Sequence, residues 1–289
     1  MAKNMWKNDP YDIRKFKCGD ISTFVDIGAN QGLATLTAFG AWHDDQCRYV
    51  MVEPFSLTLE TAETHLGRWV FHMGGEIHNL ALGNGEVLYF GGGEFHGEYK
   101  FYTQAEFDAI EAEDGREAFK TTDEYLKTPV QSYSLPNLFQ HLKIDQTKEY
   151  FLKIDCEGGE RFIFDDPEAI SIIAGSAQTA MEVHYTAGLT AEIFVRFCLH
   201  MSKTHVVRRT VQDACGVATH LVIEPDELRY VLNHPNKGWC NKIWRSLTEA
   251  TFVRKDWAHK TVSNQENFMT HCLQKGYPIG QLLLDRDVD

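Results

Sequence analysis

The chain has 289 residues, 43% of them hydrophobic, with a formal net charge of −13 and a pI near 5.4. That is enough apolar material for one large α/β unit with an appendage, and the acidic surface repels phosphate backbones, which argues against a general nucleic-acid binder. Seven scattered cysteines without a C-x-x-C pair read as free thiols of a reducing compartment, the cytoplasm; the thirteen histidines show no ligand spacing, so no metal is expected, and neither a secretory signal nor a membrane-length apolar run is present.

Residues 1–20 read as a lead-in whose aromatics, Trp6, Tyr11 and Phe16, cap a sheet. Phe24-Val25-Asp26-Ile27 then has the apolar run of a buried parallel strand. Gly28-Ala29-Asn30-Gln31-Gly32 follows as a small-residue turn in which glycine permits a sharp reversal and close approach of a ligand. Leu33, Leu36 and Phe39 recur at helical spacing. Strand, glycine turn and helix form the entry to a nucleotide or nucleoside site in open α/β sheets. A dinucleotide fingerprint would need glycine where Asn30 and Leu33 stand, so that ligand is disfavoured.

Arg48 to Glu53 is a second buried strand ending in an acid, stopped by Pro54. An acid there suits a ribose, since a carboxylate accepts hydrogen bonds from both hydroxyls. Leu59, Ala62 and Leu66 mark a second helix, and Glu76 to Asn84 a third strand. Glu86 to Phe90 and Glu98 to Tyr102 predict a β-hairpin around a glycine-rich loop, without the Gly-Lys-Ser/Thr of a phosphate loop. The acid-rich stretch from Thr103 to Lys127 reads as a solvated insertion, and Ser134 to Leu142 as an amphipathic helix. Tyr150 to Glu160 carries the second motif, Leu152-Lys153-Ile154-Asp155-Cys156-Glu157-Gly158-Gly159-Glu160. Thr179 to Tyr185 is a fifth strand with Glu182 and His184 at its end; Ala191 to Met201 is a helix; His205 to Val211 and His220 to Glu224 are closing strands. Residues 226–289, with Trp239, Trp244 and Trp257, lack strand-like alternation and read as a helical or irregular appendage that packs on the core, covers the site or makes a dimer contact.

The two motifs, at 24–32 and 151–160, resemble those of the FkbM family of class I S-adenosylmethionine (SAM) methyltransferases. The resemblance implies a Rossmann-like α/β fold: a seven-stranded, mostly parallel sheet with helices on both faces, spanning residues 1–225, with a hairpin insertion at about 85–128. It further implies SAM as cofactor and O-methylation of a hydroxyl on a sugar, glycan or other small molecule. Asp26, Gly28, Ala29, Asn30 and Gly32 would line the methionine part, Glu53 would hold the ribose, and Ala81, Leu82 and Phe55 would flank the adenine. Asp155, at the site's edge, would touch cofactor and acceptor. Asp155, Glu182 and His184 are the candidate bases for a hydroxyl proton. RNA or cap 2′-O-methylation uses the same fold with an acid–lysine–glutamate set that Lys153, Asp155 and Glu182 partly mimic; a non-catalytic SAM-binding module that serves as an interaction partner through residues 226–289 is the third reading. Lys153 interrupts an apolar run, where a buried ammonium needs a partner. The expected partner is Glu182 or Asp155.

Overall fold

The structure, a computed structural model, describes residues 9–42, 44, 46–55, 75–91, 100–105, 108–109, 129–184, 189–212, 218–234, 249–258 and 266–267. The described residues form thirteen strands and five α-helices. The strands are β1 (Thr23–Ile27), β2 (Arg48–Val52), β3 (Glu76–His78), β4 (Ala81–Leu82), β5 (Val87–Gly91), β6 (Lys100–Thr103), β7 (Val130–Tyr133), β8 (Tyr150–Ile154), β9 (Gln178–Glu182), β10 (His205–Gln212), β11 (Ala218–Val222), β12 (Glu249–Arg254) and β13 (Glu266–Asn267). The helices are α1 (Leu33–Trp42), α2 (Leu135–His141), α3 (Pro167–Gly175), α4 (Ala191–Met201) and α5 (Pro225–Asn233), with 3-10 turns at Ile13–Lys15 and Gly159–Phe162.

The main sheet runs β13-β11-β10-β12-β9-β8-β1-β2-β3. From β3 to β9 all neighbours are parallel; β12 lies antiparallel between β9 and β10, and β11 is antiparallel to β10. The α/β class is therefore as expected, but the described sheet has nine strands rather than seven. The two additional strands are β12, inserted between β9 and β10, and β13, at the edge beside β11. The expectation of a helical or irregular character for 226–289 does not hold at 249–254, which is an interior strand. Thr251 and Phe252 there are 1% and 0% exposed. The segment's apolar run is short, Ala250 to Val253 with Thr251 within it, and is bounded by Glu249 and Arg254.

A second sheet, β4-β7-β5-β6, lies apart. It contains the expected hairpin, β5 with β6, and uses Val130–Tyr133 as a strand that the sequence did not suggest. The expected third strand divides into β3 of the main sheet and β4 of the second. The helix expected at Leu59, Ala62 and Leu66, the loop at 92–99, nearly all of the acidic stretch, and Trp6, Trp239 and Trp244 lie outside the described residues. Among the described residues no helix is long and apolar enough to cross a membrane.

Alternation along the strands sends successive side chains into two cores. Val25, Ile27, Leu152 and Ile154 meet Leu138 of α2, Ile173 of α3 and Phe194 of α4 on one face. Phe24, Tyr49 and Phe151 meet Ala34, Ala38 and Trp42 of α1 on the other. The buried edge of α1 is thus Ala34, Ala38 and Trp42, with Leu36 and Phe39 only partly covered. Small residues there let the helix sit close to the aromatic face. The lead-in joins this second core through Tyr11, Ile13 and Phe16, and the Phe16 and Phe151 rings stand edge-on at 5.6 Å. This is the capping expected of Tyr11 and Phe16.

Phe252 tests whether β12 is structural. Its ring lies 5.2 Å from that of Phe197 on α4. Phe252→Ala is expected to lower unfolding free energy by about 3–5 kcal/mol in urea titrations, through lost burial and the cavity left behind. A loss below about 1 kcal/mol would mean that β12 is dispensable to the fold.

Candidate functional site

Four parallel strands, β2, β1, β8 and β9, end side by side, and the candidate site is built where they end. β1 leads into a turn with Gly28 at φ 73°, Asn30 at φ 50° and Gly32 at φ 73°. A side chain on Gly28 is excluded twice over. Its φ is left-handed, and a Cβ would lie 1.6 Å from the carbonyl oxygen of Asp155. The turn is also tied to β2: the N–H groups of Gly28 and Ala29 donate to Val52 O at 2.8 and 3.0 Å. Glu53 completes the tie. Its Oε2 accepts from the Asn30 N–H at 2.8 Å and its Oε1 from the Phe55 N–H at 2.9 Å. Burial pushes the Glu53 carboxyl up, against the pull of these two donors. Each oxygen keeps lone pairs beyond the backbone donor it holds, so the group can still accept from hydroxyls.

Lys153 lies beneath the turn, 3% exposed. Its Nζ donates to Gly28 O at 2.6 Å and stands 3.1 Å from Asp26 Oδ1 and 3.5 Å from Asp155 Oδ2. Burial alone would lower its pKa, but Asp26 and Asp155 outweigh burial and the net shift is upward. The expected charge pair therefore exists with Asp155, yet its closer member is Asp26. Register explains why: Lys153 is aligned with Asp26 on β1 and with Ala180 on β9, whereas Glu182 lies further along β9, opposite Glu249 of β12. Asp26 is fully buried, and its other oxygen accepts from Thr35 Oγ1 at 2.8 Å. Asp26 and Lys153 thus lie beneath the turn, buried and paired with each other, with Glu182 away from the ammonium.

On the β9 side, His184 sits among carboxylates. Its Nδ1 is 3.2 Å from Glu160 Oε1; its Nε2 is 3.4 Å from Glu157 Oε2 and 3.8 Å from Glu182 Oε1. Glu160 is fully buried and accepts from the N–H groups of Cys156 and Gly158, each at 2.8 Å. Burial would lower the His184 pKa, but Glu160 and Glu157 reverse that and raise it to about 9. At neutral pH the imidazole is a cation. Expected as a base, it already holds its proton. Burial pushes Glu157 up to about 7, with His184 pulling the other way. Asp155, Glu157 and His184 bring ligand-type atoms within 4.8 Å of one another.

Ala81 and Leu82, expected to flank an adenine, are buried in the cores. Phe55 is half-buried against Ala81, Leu88 and Val130. Ala29 is buried, and Asn30 is exposed at the mouth of the turn. Three groups were not recognised as site residues from the sequence. Glu157 and Glu160 were visible as acids after Asp155, but the left-handed Glu157 backbone (φ 52°) that turns them towards His184 was not. Tyr11 is separated from Asp155 by 144 residues and carried no signal; its hydroxyl donates to Asp155 Oδ2 at 3.1 Å.

Residues 26–214 match the sequence profile of the methyltransferase FkbM domain. Among solved structures, a methyltransferase FkbM from Methylobacillus flagellatus KT is similar at 18% identity and a TM-score of 0.35, over 58% of this chain and 33% of that one. The chain thus spans about a third of the length of that relative. Two forms of the StiE O-MT are similar at 10% and 8% identity, each with a TM-score of 0.33, over 83% of this chain and 72% of theirs. No curated protein matches the chain significantly.

The load on Lys153 can be measured. Lys153→Met would leave Asp26 buried without its cation. The variant is expected to lose about 3–5 kcal/mol of stability by denaturant titration. A change within about 0.5 kcal/mol would show that the ammonium contributes nothing to the turn.

Proposed function

The chain belongs to the FkbM methyltransferase family, and on that premise we propose that it is a SAM-dependent O-methyltransferase acting on a hydroxyl of a sugar, glycan or other small molecule. One observation carries the reading. Glu53, the Gly28 turn, Asp155 and the Glu157–His184 pair follow one another across adjacent strand ends. Glu53 and Asp155 are two strands apart, about 10 Å at the usual strand spacing. Ligands of open α/β sheets lie in this crevice, outside the carboxyl ends of the strands.

The residues present fit the cofactor. Glu53 is an acceptor for ribose hydroxyls, the Gly28 turn permits close approach of a ligand, and the surplus of carboxylates suits a sulfonium cation. When bound, SAM supplies a methyl group already activated by that sulfonium. What the chain must add is placement and proton removal. Alignment of the acceptor oxygen can supply up to about 7–11 kcal/mol of the barrier.

Glu157 is the proposed proton acceptor. A carboxyl pushed up to about 7 by burial has the proton affinity that base catalysis at neutral pH requires. With the donor bound, the acceptor oxygen would take the methyl group as the S–CH3 bond breaks, the neutral thioether S-adenosylhomocysteine would leave, and the hydroxyl proton would pass to Glu157. His184, held as a cation by Glu160, keeps the Glu157 carboxylate aimed and ionised.

Calorimetry with SAM and with NAD tests the cofactor: SAM is expected to bind and NAD not. Glu53→Ala should weaken SAM binding by about 1–3 kcal/mol, the cost of leaving hydroxyls unpaired. Binding of NAD alone would overturn the assignment. A hydroxyl-acceptor library screened for methyl transfer then identifies the substrate. With an acceptor in hand, kcat should rise with pH through about 7 as Glu157 deprotonates and fall near 9 as His184 loses its proton. Glu157→Gln should lower kcat and remove the limb near pH 7. An unchanged acid limb would assign the base elsewhere.

A further inference from the structure

The matched family domain begins at residue 26, but the site does not. We propose that Tyr11, in the lead-in, is a positioning residue that holds the Asp155 carboxylate towards the cationic end of the methyl donor; this rests on the SAM reading above. Tyr11 Oη and Lys153 Nζ both approach Oδ2 of Asp155, at 3.1 and 3.5 Å. A hydrogen bond from the phenol and a charge contact from the ammonium, both to Oδ2, hold that oxygen in place. The Asp155 side chain is 23% exposed, so it also faces the crevice, unlike Asp26. The Tyr11 ring lies 5.7 Å from Lys153 Nζ, closing the space on the face where the ammonium sits.

The lead-in is built to hold this ring still. Gln178 on β9, fully buried, donates from Nε2 to Tyr11 O at 2.7 Å. Thr210 on β10 donates to Pro10 O at 3.1 Å, and Trp42 of α1 donates to Ile13 O at 2.9 Å. Asp12 takes an ion pair from Arg208 at 3.0 Å. Two strands and a helix thus hold a short turn that delivers one hydroxyl to one acid. A segment needed only to cover the aromatic core would be served by Ile13 and Phe16. The phenol adds a charge-assisted hydrogen bond at the site.

The role separates from packing by comparing SAM with S-adenosylhomocysteine, which lacks the methyl group and the positive charge. Tyr11→Phe keeps the ring and removes the hydroxyl. Calorimetry should show SAM binding about tenfold weaker, with S-adenosylhomocysteine changed less than about twofold, because a hydrogen bond that aims a carboxylate matters most to a cation. Phe16→Leu, in the same core, should lower the melting temperature and leave the ratio of the two affinities unchanged. Tyr11→Phe introduced into Asp155→Asn should cause no further loss of SAM affinity, since the two groups act as one unit. Equal weakening of both ligands, no change in either, or additive losses in the double variant would overturn the proposal. If the unsubstituted protein binds neither ligand, the cofactor reading itself fails and the proposal falls with it. That outcome is recognised before any substitution is made.

Discussion

A single buried ammonium joins the parts of this molecule on which a ligand site depends. Lys153 Nζ touches the carbonyl of the glycine turn, the acid beneath that turn and the acid at the end of its own strand. Each contact answers a different need. The carbonyl contact holds the Gly28 turn against β8. Asp26 neutralises the ammonium and is neutralised by it, since neither is tolerable alone in a core. Asp155, half out of the core, carries the resulting order to the surface of the crevice. Removing water from both charges is costly, and that cost commits the two strands to one register.

The electrostatics of the site follow from this arrangement. The ammonium is shared between Asp26 and Asp155, so one cation serves several carboxylates. The other acids find internal partners: Glu53 takes backbone N–H groups, and Glu157 and Glu160 share the His184 cation. Carboxylates stand at the strand ends from β2 to β9, with Glu53, the proposed ribose contact, at one end and Glu157, the proposed proton acceptor, at the other. That polarity suits a cationic donor and a neutral acceptor, and it disfavours a phosphate-bearing polymer.

The architecture also shows why the site cannot be read from one segment. The lead-in and β12 lie far apart in the chain and both are integral to the fold. One crosses the aromatic face to reach Asp155, and the other separates β9 from β10. Antiparallel insertion of β12 covers the β9 edge that would otherwise be exposed beside Glu182, an economical use of a late segment.

What the sequence determined by itself was local. The apolar runs, the small-residue turn at Gly28 to Gly32 and the Lys153 to Glu160 motif specified strand, turn and strand, because backbone geometry and burial of neighbouring residues set those choices. The same motifs carried the family. The need of Lys153 for a carboxylate was also legible, since a charge inside an apolar strand must be paired. Which carboxylate was decided by register, a property of two strands separated by more than a hundred residues. The meeting of Tyr11 with Asp155, the raised proton affinities of His184 and Glu157, and the place of β12 inside the sheet were decided by tertiary structure. Each depends on distance through space, and charge, burial and pairing act through space whatever the separation along the chain.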